Sequence, residues 1–276
     1  MFRSPVLSGA CVDFAILPVH IAAMNFDISH ILDKWEYHPG QVVVRKFIGK
    51  DGQEKIQLRV DLGLLQMNAQ GRPDGKRPFG AASLFEHHIG RLNQHKAAHD
   101  DNEGGFTLTP EEVARIQLEA LQYHHRYICL LQLEDYEGVV RDTERNLNVF
   151  DFVERYTDVD ELVWSLQQFR PQVLMVQTRA KATLRLGKDD FAGAIDEIEN
   201  GVEKIKEFYQ QYSRTDLLEQ SAEIQSLQHW LEDVASKRPL SKREKLELDL
   251  NEAVKREDYE KAARVRDQLR NLKASE

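Results

Sequence analysis

Cysteine is scarce in this chain, which contains only Cys11 and Cys129 among 276 residues. Two cysteines cannot build a disulfide framework or a zinc site with four cysteine ligands. Cys129 lies within a helical pattern, which predicts a small buried hydrophobic residue. Long apolar runs are also missing, because none approaches the roughly 18 residues that a membrane-spanning helix needs. We therefore expect a cytoplasmic protein that does not engage a membrane.

Excess positive charge is absent as well. The chain has 37 Lys and Arg residues against 46 Asp and Glu residues, a formal net charge of −9. Nonspecific binding to nucleic acid needs a basic face, so we expect any contact with nucleic acid to be weak or indirect. Hydrophobic residues make up 41% and charged residues 30% of the chain, which is typical of a globular protein.

The segment GRPDGKRPFG (71–80) differs from a phosphate-binding loop in two ways. Only three residues separate Gly71 from Gly75, and Arg77 stands where the loop needs serine or threonine. Pro73 also removes a backbone donor. We interpret the segment as a structural turn, and we predict no catalytic residues and no cofactor.

The histidines provide the only metal-site candidates in the sequence. His88, His95 and His99 could share one face of a helix, and imidazole suits zinc. They lack the HExxH spacing that joins two ligands to a general base, and the adjacent His124 and His125 point to different sides of their helix. We therefore predict hydrogen-bonded or solvated histidines and no metal.

The strand signals are confined to residues 24–100, after a segment (1–23) that we predict to be a non-native or disordered leader. In KIQLRVDL (55–62), apolar residues from Ile56 to Leu62 alternate with polar ones, which predicts a half-buried strand. QVVVRKFI (41–48) precedes it, and KDGQ (50–53) favours a hairpin turn between them. With a third strand at 64–67 and a helix at 82–98, the pattern indicates a small antiparallel β module.

The rest of the chain is predicted to be helical. HDDNEGGFTL (99–108) is typical of a linker, and TPEE (109–112) is a capping box that starts a helical region at 109–236. We expect helices at 111–133, 158–169, 172–187 and 215–236. The fold class is therefore α+β and mainly α.

One short pattern occurs three times, as EDYE at 134–137 and 257–260 and as DDFA at 189–192. Asp135, Asp190 and Asp258 would each cap a new helix. An aromatic residue follows each cap and should pack on the preceding helix, and a small or β-branched pair one turn later should let two helices approach. These pairs are Tyr136 with Val139 and Val140, Phe191 with Ala194 and Ile195, and Tyr259 with Ala262 and Ala263. Each copy therefore predicts the corner of an antiparallel helical hairpin.

The first two corners resemble those of tetratricopeptide-like repeats over roughly 111–212. Tyr136 and Phe191 are 55 residues apart, whereas that family repeats at about 34 residues, and an extra helix at 158–169 accounts for the difference. A generic helical core with similar corners is the alternative.

The third corner belongs to LSKREKLELDLNEAVKREDYEKAARVRDQLRNLK (240–273), which is similar to the UVR motif of the B and C subunits of the bacterial excision-repair nuclease. The motif also occurs in some Clp-type chaperone ATPases and in a regulator of a protein-arginine kinase. The matching residues are Leu246, Leu250, Ala253, Glu257, Asp258, Tyr259, Glu260, Ala262, Ala263, Arg266, Asp267 and Leu272. The predicted interaction site consists of these residues without Glu260 and with Leu269 added. SKRE (241–244) is a capping box for the first helix.

The resemblance implies a helical hairpin that mediates contact between proteins or self-association. The nuclease, ATPase and CxxC signatures that accompany the motif elsewhere are missing here. We therefore expect a non-enzymatic adaptor that docks through this hairpin on another UVR-containing protein or on itself, with a possible link to DNA repair or protein quality control. Two alternatives stay open: a ligand or catalytic site near Arg72, Asp74 and Arg77, and an accessory that binds nucleic acid through the basic residues of 237–273. Those basic residues include Lys242, Arg243, Lys245, Arg264, Arg266 and Arg270.

Overall fold

The computed structural model describes residues 27–239 and 242–273. A small three-stranded sheet lies near the start of the described chain and helices make up most of the rest, so the predicted α+β, mainly α class is confirmed. The predicted leader (1–23) and the serine of the capping box at 241–244 lie outside the described residues.

The sheet contains β1 (Val43–Ile48), β2 (Glu54–Val60) and β3 (Gly63–Asn68), in that order and antiparallel throughout. The predicted turn joins β1 to β2, with the Gly49 N–H donating to the Gln53 carbonyl at 2.8 Å. Gly52 adopts a φ of 73°, which glycine tolerates without steric cost. The three strands and the hairpin turn therefore lie close to the positions predicted from the sequence.

The prediction that β2 is buried on one face only is wrong. Ile56 joins the main core, but Gln57 and Arg59 are buried as well. The Arg59 guanidinium donates to the Trp35 carbonyl at 2.8 Å, and the Gln57 side chain bonds to those of neighbouring strands. The second face is therefore a covered polar network, which alternation alone cannot distinguish from a solvated face. Leu62 lies in the turn after β2 and is 90% exposed.

Before the sheet lies the single-turn helix α1 (Ser29–Leu32), and a 3-10 turn (Pro78–Gly80) follows the sheet. The longer helices up to residue 211 are α2 (Leu84–Ala98), α3 (Pro110–Gln132), α4 (Tyr136–Arg155), α5 (Asp160–Gln167), α6 (Arg170–Leu186) and α7 (Phe191–Gln211). The predicted capping box at Thr109 is confirmed, since Thr109 and Glu112 each accept from the other's backbone N–H. Helices α3, α4, α6 and α7 pack successively on one another, while the short α5 connects α4 to α6.

Helix α8 (Ala222–Lys237) packs on α7 and begins later than the predicted residue 215. Residues Thr215–Leu217 form a 3-10 turn instead, and the Ser221 hydroxyl caps α8 by accepting from the Ile224 N–H. Helices α9 (Lys242–Lys255) and α10 (Tyr259–Lys273) complete the described chain.

The segment expected to be a linker (99–108) packs against the helices. Phe106 and Leu108 are buried, and the Leu108 N–H donates to the Tyr156 carbonyl at 2.7 Å. A single hydrophobic cluster consequently runs from Ile56 in the sheet to Val234 in α8.

A buried ionic network also holds the sheet to the helices. Arg126 of α3 forms a bidentate pair with Asp142 of α4 and donates to the carbonyls of Asn68 and Gly71 at the end of β3. Glu119 accepts from the first two backbone N–H groups of α2 and pairs with Arg72 and Arg145. Buried charges need such partners, and these partners come from elements far apart in the chain.

Candidate docking surface

The three repeated corners have the same backbone geometry. The residue before each capping aspartate is left-handed, with φ near 57° at Glu134, Asp189 and Glu257. In each copy the aspartate N–H bonds back five residues, as from Asp258 to the Ala253 carbonyl at 2.9 Å. This pattern is a Schellman motif, in which the first residue beyond the helix turns the chain through positive φ.

Each aspartate also caps the next helix, as predicted. The carboxylates of Asp135, Asp190 and Asp258 accept backbone N–H groups three residues later, at 2.9–3.0 Å. One residue therefore ends a helix through its backbone and starts another through its side chain. This double use explains why the four-residue pattern recurs wherever two helices meet at such a corner.

The aromatic residues of the three corners differ in their surroundings. Tyr136 and Phe191 pack against the main core, as predicted. Tyr259 is 71% exposed, so most of its ring is uncovered. The third corner therefore presents an aromatic ring that the first two corners cover.

The small residues after the aromatic ring also differ from prediction. Val139, Ala194 and Ala262, each three residues after the ring, are buried. Ala263 is exposed, so the close approach of α9 and α10 occurs at Ala262 and not at Ala263. Helical spacing places neighbouring residues about 100° apart, so only one of the pair can face the partner helix.

The hairpin of α9 and α10 has a minimal interior. Its buried apolar residues are Ala253, Ala262 and Val265. Leu246, Leu250 and Leu269 are half-buried, and the side chain of Leu272, in α10, lies outside the described residues. We call the exposed apolar residues Leu248, Val254 and Tyr259 together the hairpin face; Leu248 and Val254 are more than half exposed and lie about 120° apart around α9.

Leu248 was missed as an interaction residue in the sequence. The segment LELDL (246–250) places leucines at spacing two, and a helix cannot bury all three on one side. That spacing was the available signal for a second apolar surface. Among the described residues, α9 and α10 pack on each other, and neither packs extensively on another helix.

The polar residues of the predicted site lie on the outside of the hairpin. Glu257, Arg266 and Asp267 are exposed, as is Asp258, which makes the cap. The basic residues stand among acidic ones: Arg243, Arg256 and Arg264 each pair with a glutamate one turn away. Such exposed pairs contribute little stability, and here they offset part of the basic charge of the hairpin.

The alternative site at 71–80 is a structural turn. Arg72 lies 2.8 Å from Glu119 and 3.2 Å from Asp74, and the Gly71 carbonyl accepts from Arg126. Gly71 and Gly75 both adopt positive φ. Of the three residues considered for a ligand, Arg72 pairs within the buried network, whereas Asp74 and Arg77 are exposed.

The histidines do not converge. His88 is buried and accepts from Arg91 at 3.0 Å, and burial lowers its pKa. His95 and His99 stack on each other at 4.2 Å and bond to backbone carbonyls. No group of three potential metal ligands exists among residues 27–239 and 242–273.

Cys129 is fully buried in α3, as predicted. Burial raises the pKa of its thiol to about 12, so the group stays protonated at neutral pH. It therefore behaves as a hydrophobic residue. None of the helices in the described chain combines the length and hydropathy that a membrane span requires.

Comparison with known proteins identifies one segment. Residues 241–275 match the family model described as the UvrB/uvrC motif, UVR. No curated protein and no solved structure matched the chain. The predicted UVR motif is therefore confirmed, and in UvrB and UvrC this motif is a protein-interaction module. The likeness to tetratricopeptide repeats stays a prediction.

Proposed function

We propose that this protein is a non-enzymatic adaptor that docks on other proteins through the hairpin of α9 and α10. The helices α3 to α8 form the scaffold that carries the hairpin. The UVR motif supports the docking role.

The observation that carries the proposal is the exposure of the hairpin face. Its three residues are between 51% and 71% exposed, although the equivalent of Tyr259 is covered at both other corners. Exposed aliphatic and aromatic side chains on a unit this small are candidates for an interaction site. Among the hairpin side chains that the structure describes, three apolar ones are buried, and so small an interior gains stability by pairing with another surface.

The partner that best fits this face is a second UVR hairpin, on another copy of the chain or on a different protein. Two such hairpins would bury their apolar faces against each other in a four-helix arrangement. The mixed charge of 242–273, ten basic and eight acidic residues, permits pairing of like hairpins without strong repulsion. Roles in DNA repair or in protein quality control are the two settings that the motif suggests.

Sedimentation of the full chain over a range of concentrations tests self-association. Val254→Asp alters an exposed position and should leave the helices intact by circular dichroism. We expect it to abolish self-association and to remove partners captured by the wild type. Leu62→Asp, at an exposed apolar site in the turn between β2 and β3, is the matched control and should change neither. Normal association of the Val254→Asp variant would show that the hairpin face is not the docking surface.

The two alternative functions find less support. The proposed ligand site near Arg72 is occupied by internal pairs. Of the six basic residues proposed for nucleic-acid binding, Arg243 and Arg264 already pair with glutamates within the hairpin. We expect DNA binding to be weak and to fall steeply with salt, and sub-micromolar binding at physiological salt would favour the repair accessory instead.

A further inference from the structure

A groove lies on the scaffold, and its lining residues all fall between 117 and 173, outside the hairpin of α9 and α10. Its volume is about 500 Å³, within the range of roughly 300–1,000 Å³ that accommodates small ligands. Residues of α3, α4, α5 and α6 line it, together with Phe169 between α5 and α6. Its floor is buried and its rim is apolar and open: Tyr127, Phe150 and Val173 are at most 3% exposed, whereas Leu118 and Leu121 of α3 are 65% and 47% exposed.

None of the twelve residues that line the groove is charged, although 30% of the chain is. A second cavity, of about 470 Å³, provides the contrast, because Glu86, Glu137, Arg141, Glu144 and Arg145 all line it. A charged ligand in the first groove would lose hydration without gaining a counter-charge. The lining therefore selects for an uncharged occupant.

Few polar groups in the groove remain for a ligand. Asn146 is committed, since its amide donates to the Ala120 carbonyl and its oxygen accepts from Arg145. His124 lies 2.7 Å from the Tyr127 hydroxyl through Nδ1, and its Nε2 makes no hydrogen bond within the described chain. Burial lowers the pKa of His124, so the ring is neutral at pH 7. Together with the Gln172 amide, that ring offers one or two hydrogen bonds.

We propose that this groove binds an uncharged, largely apolar small molecule that carries a hydrogen-bonding group. The buried floor receives the apolar body, and Leu118, Leu121 and Phe169 enclose its exposed side. The volume of the groove favours a compact molecule that fills it. The flat face of a partner protein would contact only the rim of the groove. This proposal does not depend on the docking role of the hairpin.

Titration of the full-length protein with N-phenyl-1-naphthylamine tests the groove, because this uncharged probe fluoresces in apolar sites. We expect saturable binding by the wild type and at least tenfold weaker binding by Leu121→Glu and by Leu118→Glu. Both positions are exposed, so both variants should fold. Leu65→Glu, on the sheet, and Val254→Asp, on the hairpin face, are the controls and should bind the probe as the wild type does.

Three outcomes would overturn the proposal. The first is equal binding by the wild type and both groove variants. The second is loss of binding in Val254→Asp, which would place the probe on the hairpin. The third is displacement of the probe by an apolar protein segment but by no small uncharged compound, which would assign the groove to a protein partner. Sedimentation tests the docking role of the hairpin, and probe titration tests the groove. Failure of one proposal therefore does not affect the test of the other.

Discussion

Glutamate in a left-handed conformation is unusual, yet Glu134 and Glu257 both adopt a φ near 57°. The conformation costs a non-glycine residue roughly 1–2 kcal/mol, and glycine is the common choice at this position. The scaffold tolerates the cost because the bonds of the Schellman motif and the aspartate cap determine the backbone on both sides. The backbone of the corner is thus strained at one residue, and the hydrogen bonds on either side of that residue hold it in place.

Glu134→Gly should therefore stabilise the protein by roughly 1 kcal/mol. Glu137→Gly is the matched control, because the same change three residues later falls within the first turn of α4. There it should destabilise by about 1 kcal/mol. Urea unfolding of both variants measures the difference, and a loss of stability in Glu134→Gly would refute the strain argument.

Asp142 is 1% exposed and pairs with Arg126, which is buried to the same degree. Asp142→Ala leaves the Arg126 guanidinium buried without its carboxylate, and we expect a loss of about 3–5 kcal/mol in the free energy of unfolding. Arg115→Ala removes an exposed pair with Glu111 and should cost less than about 1 kcal/mol. Chemical unfolding of the two variants decides whether the network stabilises the joint between sheet and helices.

At the scale of elements, the two neighbouring alanines of the hairpin of α9 and α10 differ in burial. Ala262 lies between the two helices, and Ala263, the next residue, is exposed. Small residues permit helices to approach closely, so a large side chain is acceptable only at the second position. The sequence had predicted the close approach at the pair of Ala262 and Ala263.

Ala262→Glu should unfold the hairpin, because a charge cannot be buried there without a partner. Ala263→Glu should leave the hairpin folded and should weaken docking only if the interface extends to that side. Hydrogen exchange read by mass spectrometry separates the two effects: we expect residues 242–273 to lose protection in Ala262→Glu alone. Loss of protection in both variants would place Ala263 in the interior.

At the scale of the whole molecule, the sheet and the helices share one hydrophobic cluster and one buried ionic network. We therefore expect residues 27–237 to unfold in one transition. Trp35 lies under the Arg45 guanidinium beside the sheet and reports on it, while circular dichroism at 222 nm reports on the helices. A variant in which Phe replaces Trp164 and Trp230 isolates the Trp35 signal. Separate midpoints for the two signals would show two independent units.

The sequence predicted local features well because their causes lie within a few residues. The hairpin turn at Gly52, the capping box at Thr109 and the three aspartate caps are all present. Predictions failed where distant residues decided the outcome. Arg59 was expected on a solvated face, but it is buried and donates to the carbonyl of Trp35, 24 residues earlier in the chain. Phe106 was expected in a linker, but it packs against Phe152 and Tyr156 of the helical region.

The amino-acid sequence by itself determined most of the helices, the strands, the predicted caps and the UVR motif, because each depends on residue types and spacings within a short stretch of chain. The tertiary structure alone decided which surfaces remain open. Tyr136 and Tyr259 occupy the same place in the same four-residue sequence, yet one packs on the core and the other is exposed. The difference arises because α4 packs on both α3 and α6, whereas α10, within the described chain, packs extensively on α9 alone. The apolar groove has the same origin, since its lining comes from four helices that meet only in the folded protein.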